Sequence, residues 1–572
     1  MVNYHFEGDR FVIEDFQKAK TFASFLPGVA GVDGKPLWAF YASVGQGMGG
    51  FGVTSKDTPI TPFDSANLAY SNIPVKGFRT FLKEDGVLHQ PFFNHENVKQ
   101  TMETSMADFS IDEASTIHEM HVLYATLPHR DYAALIRKVT YTNISAKPVR
   151  FTVVDGLPVF FPNGLSNFCY KELVSLMAAY CQVYGLKEKT PFVKFKTSTG
   201  DNSIVQEAVS GNGFFAIDEK GNKLTPLIDP QALFGDDMTD LSVDPFEILS
   251  YPDFLKQDEQ TENKLPCAFY SFEKTLKPQE SYTVYAVYGM WDDFDKFIAA
   301  SKELTPEILE QAILDNRQLI KDLVHPAECH TGNPLFDLYL KQSYLDNNLR
   351  GGFPTLLPDK KEGQVYYIYG RKHGDMERDY NAFQIPSRFY SSGPGNFRDV
   401  NQNRRSDLIF HPYVGDYNIK LFFNLIQVDG QNPLNVKPET FVLDSKALSA
   451  PLKALPKADL EKILALGQSF EPSEMYTLLR DGLAYEKTKA DDLFAEILSS
   501  SKQEIQANFA EGYWVDHWTY NVDLLENYSS IFPDKEEALF FTKDYGYFYD
   551  PVYVNPRSEK YCLLPDGKVR QY

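Results

Sequence analysis

Up to about residue 291 the apolar positions come in short runs and alternations rather than helical stripes. Leu37-Trp38-Ala39-Phe40-Tyr41 is an apolar run bounded by Gly34 and Gly45. Segments 139–142 and 150–154 flank a turn at 143–148. Segment 214–217 leads into Glu219-Lys220-Gly221-Asn222, a hairpin signal. Segment 282–288 is dense in aromatic and β-branched residues. Short strands punctuated by Gly, Pro and Asn predict an antiparallel sandwich. Its length calls for one large sandwich or two stacked.

The period then changes. Phe294, Phe297, Ile298, Ile308, Leu309, Ile313, Leu314, Leu319, Ile320 and Leu323 follow helical spacing, with Pro306 near a helix start. This stretch reads as a helical linker over 292–325. Asn333-Pro334 then predicts a capped helix with Leu335, Leu338, Tyr339, Gln342 and Leu345 on one stripe, ended by Gly351-Gly352. Further helical segments are expected at 404–428, 456–467, 473–483, 489–507 and 516–530. Between them, 351–403 reads as a long loop rich in Gly, Arg, Asp and Tyr, a length that is unusual unless the loop works. Helices alternating with such loops suggest a toroid of helical hairpins.

Composition narrows the partners. At about 150 residues per domain, 572 residues suggest about four units, and two or three larger ones fit equally well. The net charge of −22 opposes binding to nucleic acid or an anionic membrane. No basic segment followed by an apolar run opens the chain, and no apolar stretch reaches the roughly 18 residues of a membrane span. Cys169, Cys181, Cys267, Cys329 and Cys562 are scattered, without C-x-x-C, so a reducing cytoplasmic location is expected. Phe, Tyr and Trp make up 14% of the chain. Such rings fill cores, and they also stack on the apolar faces of sugar rings.

Several motifs could carry chemistry. Gly45-Gln46-Gly47-Met48-Gly49-Gly50 matches G-x-G-x-x-G, but Phe51-Gly52-Val53-Thr54 and then Pro59 follow instead of a helix. It reads as a tight turn between strands rather than a nucleotide site. His118 and His121 lie three apart on an extended segment and face opposite sides, which opposes a shared metal. Arg371, His373, Asp375, Glu377, Arg378 and Asp379, then Arg388 and the run from Gly393 to Arg405, form the densest polar region. It is either a solvated charged surface or a pocket for sugar hydroxyls, and the interleaved aromatics favour the pocket. Asp516-His517-Trp518 is a second cluster, which also fits a helix start with Asp516 as its cap.

Four stretches carry a resemblance: Phe22-Ala23-Ser24-Phe25-Leu26-Pro27-Gly28-Val29-Ala30-Gly31 with Pro36-Leu37-Trp38-Ala39-Phe40-Tyr41; Leu345-Asp346-Asn347-Asn348-Leu349-Arg350-Gly351-Gly352; Arg371-Lys372-His373-Gly374-Asp375-Met376-Glu377-Arg378-Asp379; and Gly395-Asn396-Phe397-Arg398-Asp399-Val400-Asn401-Gln402. Together they resemble the 1,2-β-oligoglucan phosphorylases of glycoside hydrolase family 94, relatives of cellobiose phosphorylase. The resemblance implies a β-supersandwich over 1–291, a helical linker over 292–325, and the N-terminal part of an (α/α)6 barrel over 326–572.

The implied reaction is inverting phosphorolysis of a β-glucan, with a β-1,2-glucooligosaccharide as substrate. A general acid protonates the glycosidic oxygen while inorganic phosphate, the co-substrate, attacks the anomeric carbon from the other face. Phosphate is already a nucleophile, so the second carboxylate that activates water in an inverting hydrolase is not needed. No other cofactor and no metal are expected. Arg398, Asp399 and Gln402 match the family motif and are expected at the glucosyl unit, with Arg378 and Asp379 along the glucan. At the position after Gln402, cellobiose phosphorylase differs: it has an acidic residue where this chain has Asn403.

The relatives are longer, and their general acid and phosphate loops lie beyond the Asp516 segment. The acid is therefore expected outside this chain, in a C-terminal half or second subunit that completes the barrel, and the isolated chain is expected to be inactive. Two alternatives stay open: a non-catalytic glucan-binding protein, and a self-sufficient glycoside hydrolase using Asp375, Glu377 or Asp516, with Asp375 and Asp516 as the first acids to test.

Overall fold

In the computed structural model, which describes all residues except 1, 94–96, 199–202, 238, 359–362, 372–382, 429, 509–515, 549–555 and 572, large antiparallel sheets occupy the chain up to Trp291. A ten-stranded sheet runs from Asn3–Glu7 at one edge to Cys181–Tyr184 at the other, with His118–Thr126, Ala133–Asn143 and Ser281–Trp291 at its centre. A five-stranded sheet centred on Val149–Leu157 faces it, and a three-stranded sheet containing Trp38–Ala42 and Met48–Gly52 closes the same core.

Period-two alternation divides the central strands between two apolar environments. Val122 and Tyr124 pack into the core between the sheets, while Leu123 and Ala125 point the other way. There they meet two helices, α1 (Phe294–Glu303) and α2 (Pro306–Val324), through Phe297, Leu309 and Ile313. Both faces of the large sheet are thus apolar. These two helices roof its outer face, and Asp293 and Thr305 cap their N-termini.

The turn at 143–148 behaves differently from its local signal. Ala133–Asn143 and Val149–Leu157 do not pair with each other; the first lies in the ten-stranded sheet and the second in the five-stranded one. Buried Asn143 holds the crossing, its amide donating to the carbonyls of Lys147 at 2.8 Å and Leu276 at 2.9 Å. At Gly221 the expected hairpin forms briefly: Lys223 bridges Ile217 and Leu224 N–H donates to the Ala216 carbonyl at 2.9 Å, before Thr225–Leu227 pairs with Ala268–Leu276 of the other sheet.

The glycine-rich segment joins Trp38–Ala42 to Met48–Gly52 as a tight turn, with Gly45 and Gly47 at positive φ. Its Gln46 enters the core. The Gln46 amide donates to Thr80 at 2.9 Å and its carbonyl accepts from fully buried Arg137 at 2.6 Å. Arg137 also pairs with buried Asp155 of the facing sheet, which accepts from Thr80, Tyr141 and Tyr270 as well. Nearly every polar atom of this inter-sheet knot is matched, as burial of a charged pair requires.

After the linker, helices dominate: α3 (Pro334–Gly351), α4 (Phe397–Arg404), α5 (Tyr417–Asn424), α6 (Lys457–Leu466), α7 (Pro472–Thr477), α8 (Lys487–Ser499) and α9 (Asp516–Ile531). α3 packs on α4, which packs on α5 and α9. Within the expected loop over 351–403, Phe353–Leu357 pairs with Gln364–Ile368, and α4 begins. The expected helix over 404–428 is broken at Ser406 and by Pro412 and Gly415 into short turns before α5. The expected helix over 489–507 ends at Ser499, where the chain turns into Ser501–Glu504 and pairs with Thr440–Leu443. No described helix is long and apolar enough to cross a membrane.

Candidate functional site

α4 starts where Gly395–Asn396 pairs with Asn435–Val436, with Asn396 at its cap. Phe397, Val400, Asn401 and Arg404 face inward, which leaves Arg398, Asp399 and Gln402 on the accessible side. Gln402 lies one turn beyond Arg398, so the two share a face. Asn396 donates to the Asp399 carboxylate at 3.2 Å, and Asn403 donates to the Asp399 main-chain carbonyl at 2.7 Å. The Asn396 contact holds the carboxylate on the first turn of the helix.

The first residue of α9 meets this turn. Arg398 Nε lies 2.8 Å from Asp516 Oδ2, and the two side chains are 49% and 42% exposed. Some desolvation acts on Arg398, but Tyr520, Asp516 and Asp399 outweigh it and hold the guanidinium above its ordinary value. His517, next to Asp516, is buried. Its Nδ1 is 2.9 Å from Asn432 Oδ1, and its ring lies 5.6 Å from that of Phe397. Burial pulls the imidazole below its ordinary value. The ring sits beside Phe397 and next to the Arg398–Asp516 contact in the chain.

Beneath α4 lies a second polar layer that the sequence did not disclose. The Arg404 guanidinium stacks 3.5 Å over the Tyr367 ring and donates from Nε to the Gly351 carbonyl at 2.7 Å. Tyr367 donates to Asp407 at 2.8 Å and accepts from Asn418 at 2.7 Å, while Tyr417 donates to buried Glu439 at 2.6 Å. Burial pushes the Asp407 carboxyl up to about 7, against the pull of Tyr367 and Arg404. This layer ties α4 to the end of α3. The signal for it in the sequence was Arg404 near the end of the polar run.

The structure therefore brings Arg398, Asp399, Gln402 and Asp516 onto neighbouring turns of two helices. Asp375, Glu377, Arg378 and Asp379 lie outside the described residues. Arg371, at the edge of that segment, is nearly buried and donates to the Pro27 carbonyl at 2.9 Å. Arg388 is committed to Glu471 and the Ser392 carbonyl. Among the described residues no group of three or more His, Cys, Asp or Glu could hold a metal ion. His118 points into the core toward Glu84, and His121 meets Asp112 at the surface.

No family model matches the chain, and no curated protein matches it. Among solved structures, a bacterial glucoamylase complexed with acarbose is similar at a TM-score of 0.35 and 11% identity, over 82% of this chain and 65% of that one. A polysaccharide lyase is similar at a TM-score of 0.25 and 10% identity, over 45% of this chain and 32% of that one. The chain spans less than two thirds of the length of either. Both are carbohydrate-active enzymes by name.

Proposed function

We propose that this chain binds a β-glucooligosaccharide, of the β-1,2-linked class, for inverting phosphorolysis to α-glucose 1-phosphate. The reading takes 1–291 as the supersandwich, 292–325 as the linker and 326–572 as the N-terminal part of an (α/α)6 barrel. The observation that carries it is the Arg398–Asp516 contact, which joins two polar segments far apart in sequence on one accessible surface beside Asp399 and Gln402. A guanidinium offers forked donors, a carboxylate offers acceptors and a carboxamide offers both, the set that adjacent equatorial hydroxyls require. Asp399, fixed by Asn396, accepts from sugar hydroxyls. Asp516 spends one oxygen on Arg398 and so orients the guanidinium. Inorganic phosphate is the nucleophile, and the proton for the leaving oxygen comes from an acid that none of these four residues supplies.

The test couples binding to product. β-1,2-Glucotriose should bind, and Arg398→Ala and Asp399→Asn should each weaken binding by about tenfold or more, the order of a lost charge-assisted hydrogen bond. Any sugar product should be glucose 1-phosphate and should require inorganic phosphate. Phosphate-independent release of glucose would replace this reading with a hydrolase, and Asp516→Asn and Asp375→Asn would then be assayed first. Unchanged binding in both α4 variants would remove the site.

A further inference from the structure

The stripe on α3 does not end in the core. Leu345 is buried, but Leu335 and Tyr339 are 58% and 66% exposed. With Leu338 and Gln342 they form one wall of a cleft of about 750 Å³ between α3 and the sandwich. That volume falls within the roughly 300–1,000 Å³ of small-molecule sites. The facing wall is aromatic. Phe6 and Phe11 of the N-terminal hairpin lie 5.2 Å apart, and Phe22 meets Tyr41 edge-on at 6.3 Å.

The charged side chains among the described lining residues balance, with Asp9 and Asp346 against Arg350 and Arg371. Arg350 Nε lies 3.1 Å from Asp346 Oδ2, and nearly buried Arg371 is anchored to Pro27. Aromatic walls around a charge-neutral set of donors and acceptors suit an uncharged, ring-shaped, hydroxyl-rich ligand. A wholly apolar partner would strand these charges without water. A second copy of the chain, also at −22, is repelled at long range.

We propose that this cleft is a second saccharide site, separate from the α4–α9 surface, which holds a neutral β-gluco-oligosaccharide with Tyr339 and Phe6 stacking on its sugar rings. The choice of a glucan rests on the function proposed above; the site itself rests on the cleft.

The experiment is calorimetric titration of the full chain with β-1,2-glucotriose, using the wild type, Tyr339→Ala with Phe6→Ala, and Arg398→Ala. Both cleft side chains are exposed, so the double variant keeps its fold, which a thermal melt verifies. The expected result is two classes of site. The double variant weakens one by about tenfold and spares the other, while Arg398→Ala does the reverse. If the double variant binds like the wild type and Arg398→Ala abolishes binding, the cleft proposal fails and the function stands. If only the double variant loses binding, the cleft stands and the α4 reading fails. A double variant that changes the sedimentation coefficient but not glucan binding would assign the cleft to self-association and overturn the proposal.

Discussion

Arg398 Nε lies 2.8 Å from Asp516 Oδ2, across the first turns of α4 and α9. Half-exposed ion pairs contribute little to folding, typically below about 1 kcal/mol. Asp516→Asn should therefore lower stability by less than about 1 kcal/mol in urea denaturation. If the pair serves a ligand, the same variant should weaken glucan binding about tenfold, because it frees the guanidinium to turn away. A large stability loss with unchanged binding would make the pair a purely structural tie.

The division into strands and helices was legible because strands buried on both faces read as short apolar runs such as 37–41 and 282–288, whereas Leu309 and Ile313 recur one helical turn apart. Which sheet a strand joins was not legible. Gly221 makes the turn that its neighbours announce, yet the next strand is drawn to the opposite sheet by Leu227 and Phe269, whose apolar cluster lies on that sheet's far face. Helix breaks at Pro412 and Gly415 were written in the chain, but the apolar spacing around them read as continuous. At the candidate site, the residue types around Arg398 were legible. Their partners were not, because nothing local says that the helix opening at Asp516 returns to Phe397. The stripe on α3 shows the same limit, since spacing shows that a face is apolar but not what covers it.

Gly47 tests the structural reading of the glycine-rich segment. Its φ is +81°, and a Cβ there would lie 2.6 Å from the Phe109 ring. That ring is held between Tyr41 at 4.5 Å and Tyr124 at 4.7 Å and has little room to move. Gly47→Ala should cost roughly 2–4 kcal/mol, combining left-handed backbone strain with overpacking. Gly8→Ala, at φ +65° with open space around it, isolates the backbone part and should cost roughly 1–2 kcal/mol. Equal losses in the two variants would contradict the packing argument.

His118 gives stability a pH dependence. Burial disfavours the charged ring, but the Glu113 carboxylate, 3.6 Å from Nε2, and the hydrogen-bonded Glu84 outweigh it and push the imidazole up to about 9. Its Nδ1 lies 2.6 Å from Glu84 Oε1, and Glu84 also faces His89 at 3.1 Å. The folded state therefore binds the proton more tightly than the unfolded chain, whose histidine titrates near 6.5. The stabilisation is complete below about pH 6.5 and is lost as pH rises toward 9. His118→Gln should remove roughly 1–3 kcal/mol of that pH-dependent change, read from urea midpoints between pH 6 and 9.5. Wild-type and variant midpoints that fall in parallel would rule the group out.

Asp407 also makes stability fall as pH rises, but through a cost that appears rather than a stabilisation that is lost. It is buried at the start of a short helix, where Tyr367 donates to it at 2.8 Å and the Arg404 charge lies nearby. Those contacts favour the carboxylate, but desolvation is the larger effect and pushes the carboxyl up to about 7. An unfolded aspartate titrates near 3.9. Below that value both states carry the proton and the cost is absent. As pH rises from about 4 to 7 the unfolded chain releases its proton first, so stability falls, and above 7 the folded protein bears the whole cost. An asparagine side chain at this position would still accept from Tyr367 but could not ionise. Asp407→Asn should therefore match or slightly trail the wild type near pH 4 and exceed it at pH 8, by up to about 4 kcal/mol. The measurement is the denaturant midpoint of both proteins from pH 4 to 8. A variant that is less stable by the same amount throughout would mean that Asp407 is ionised in the folded state at every pH. The Arg404–Tyr367 layer under α4 would then be held by its charge rather than in spite of it.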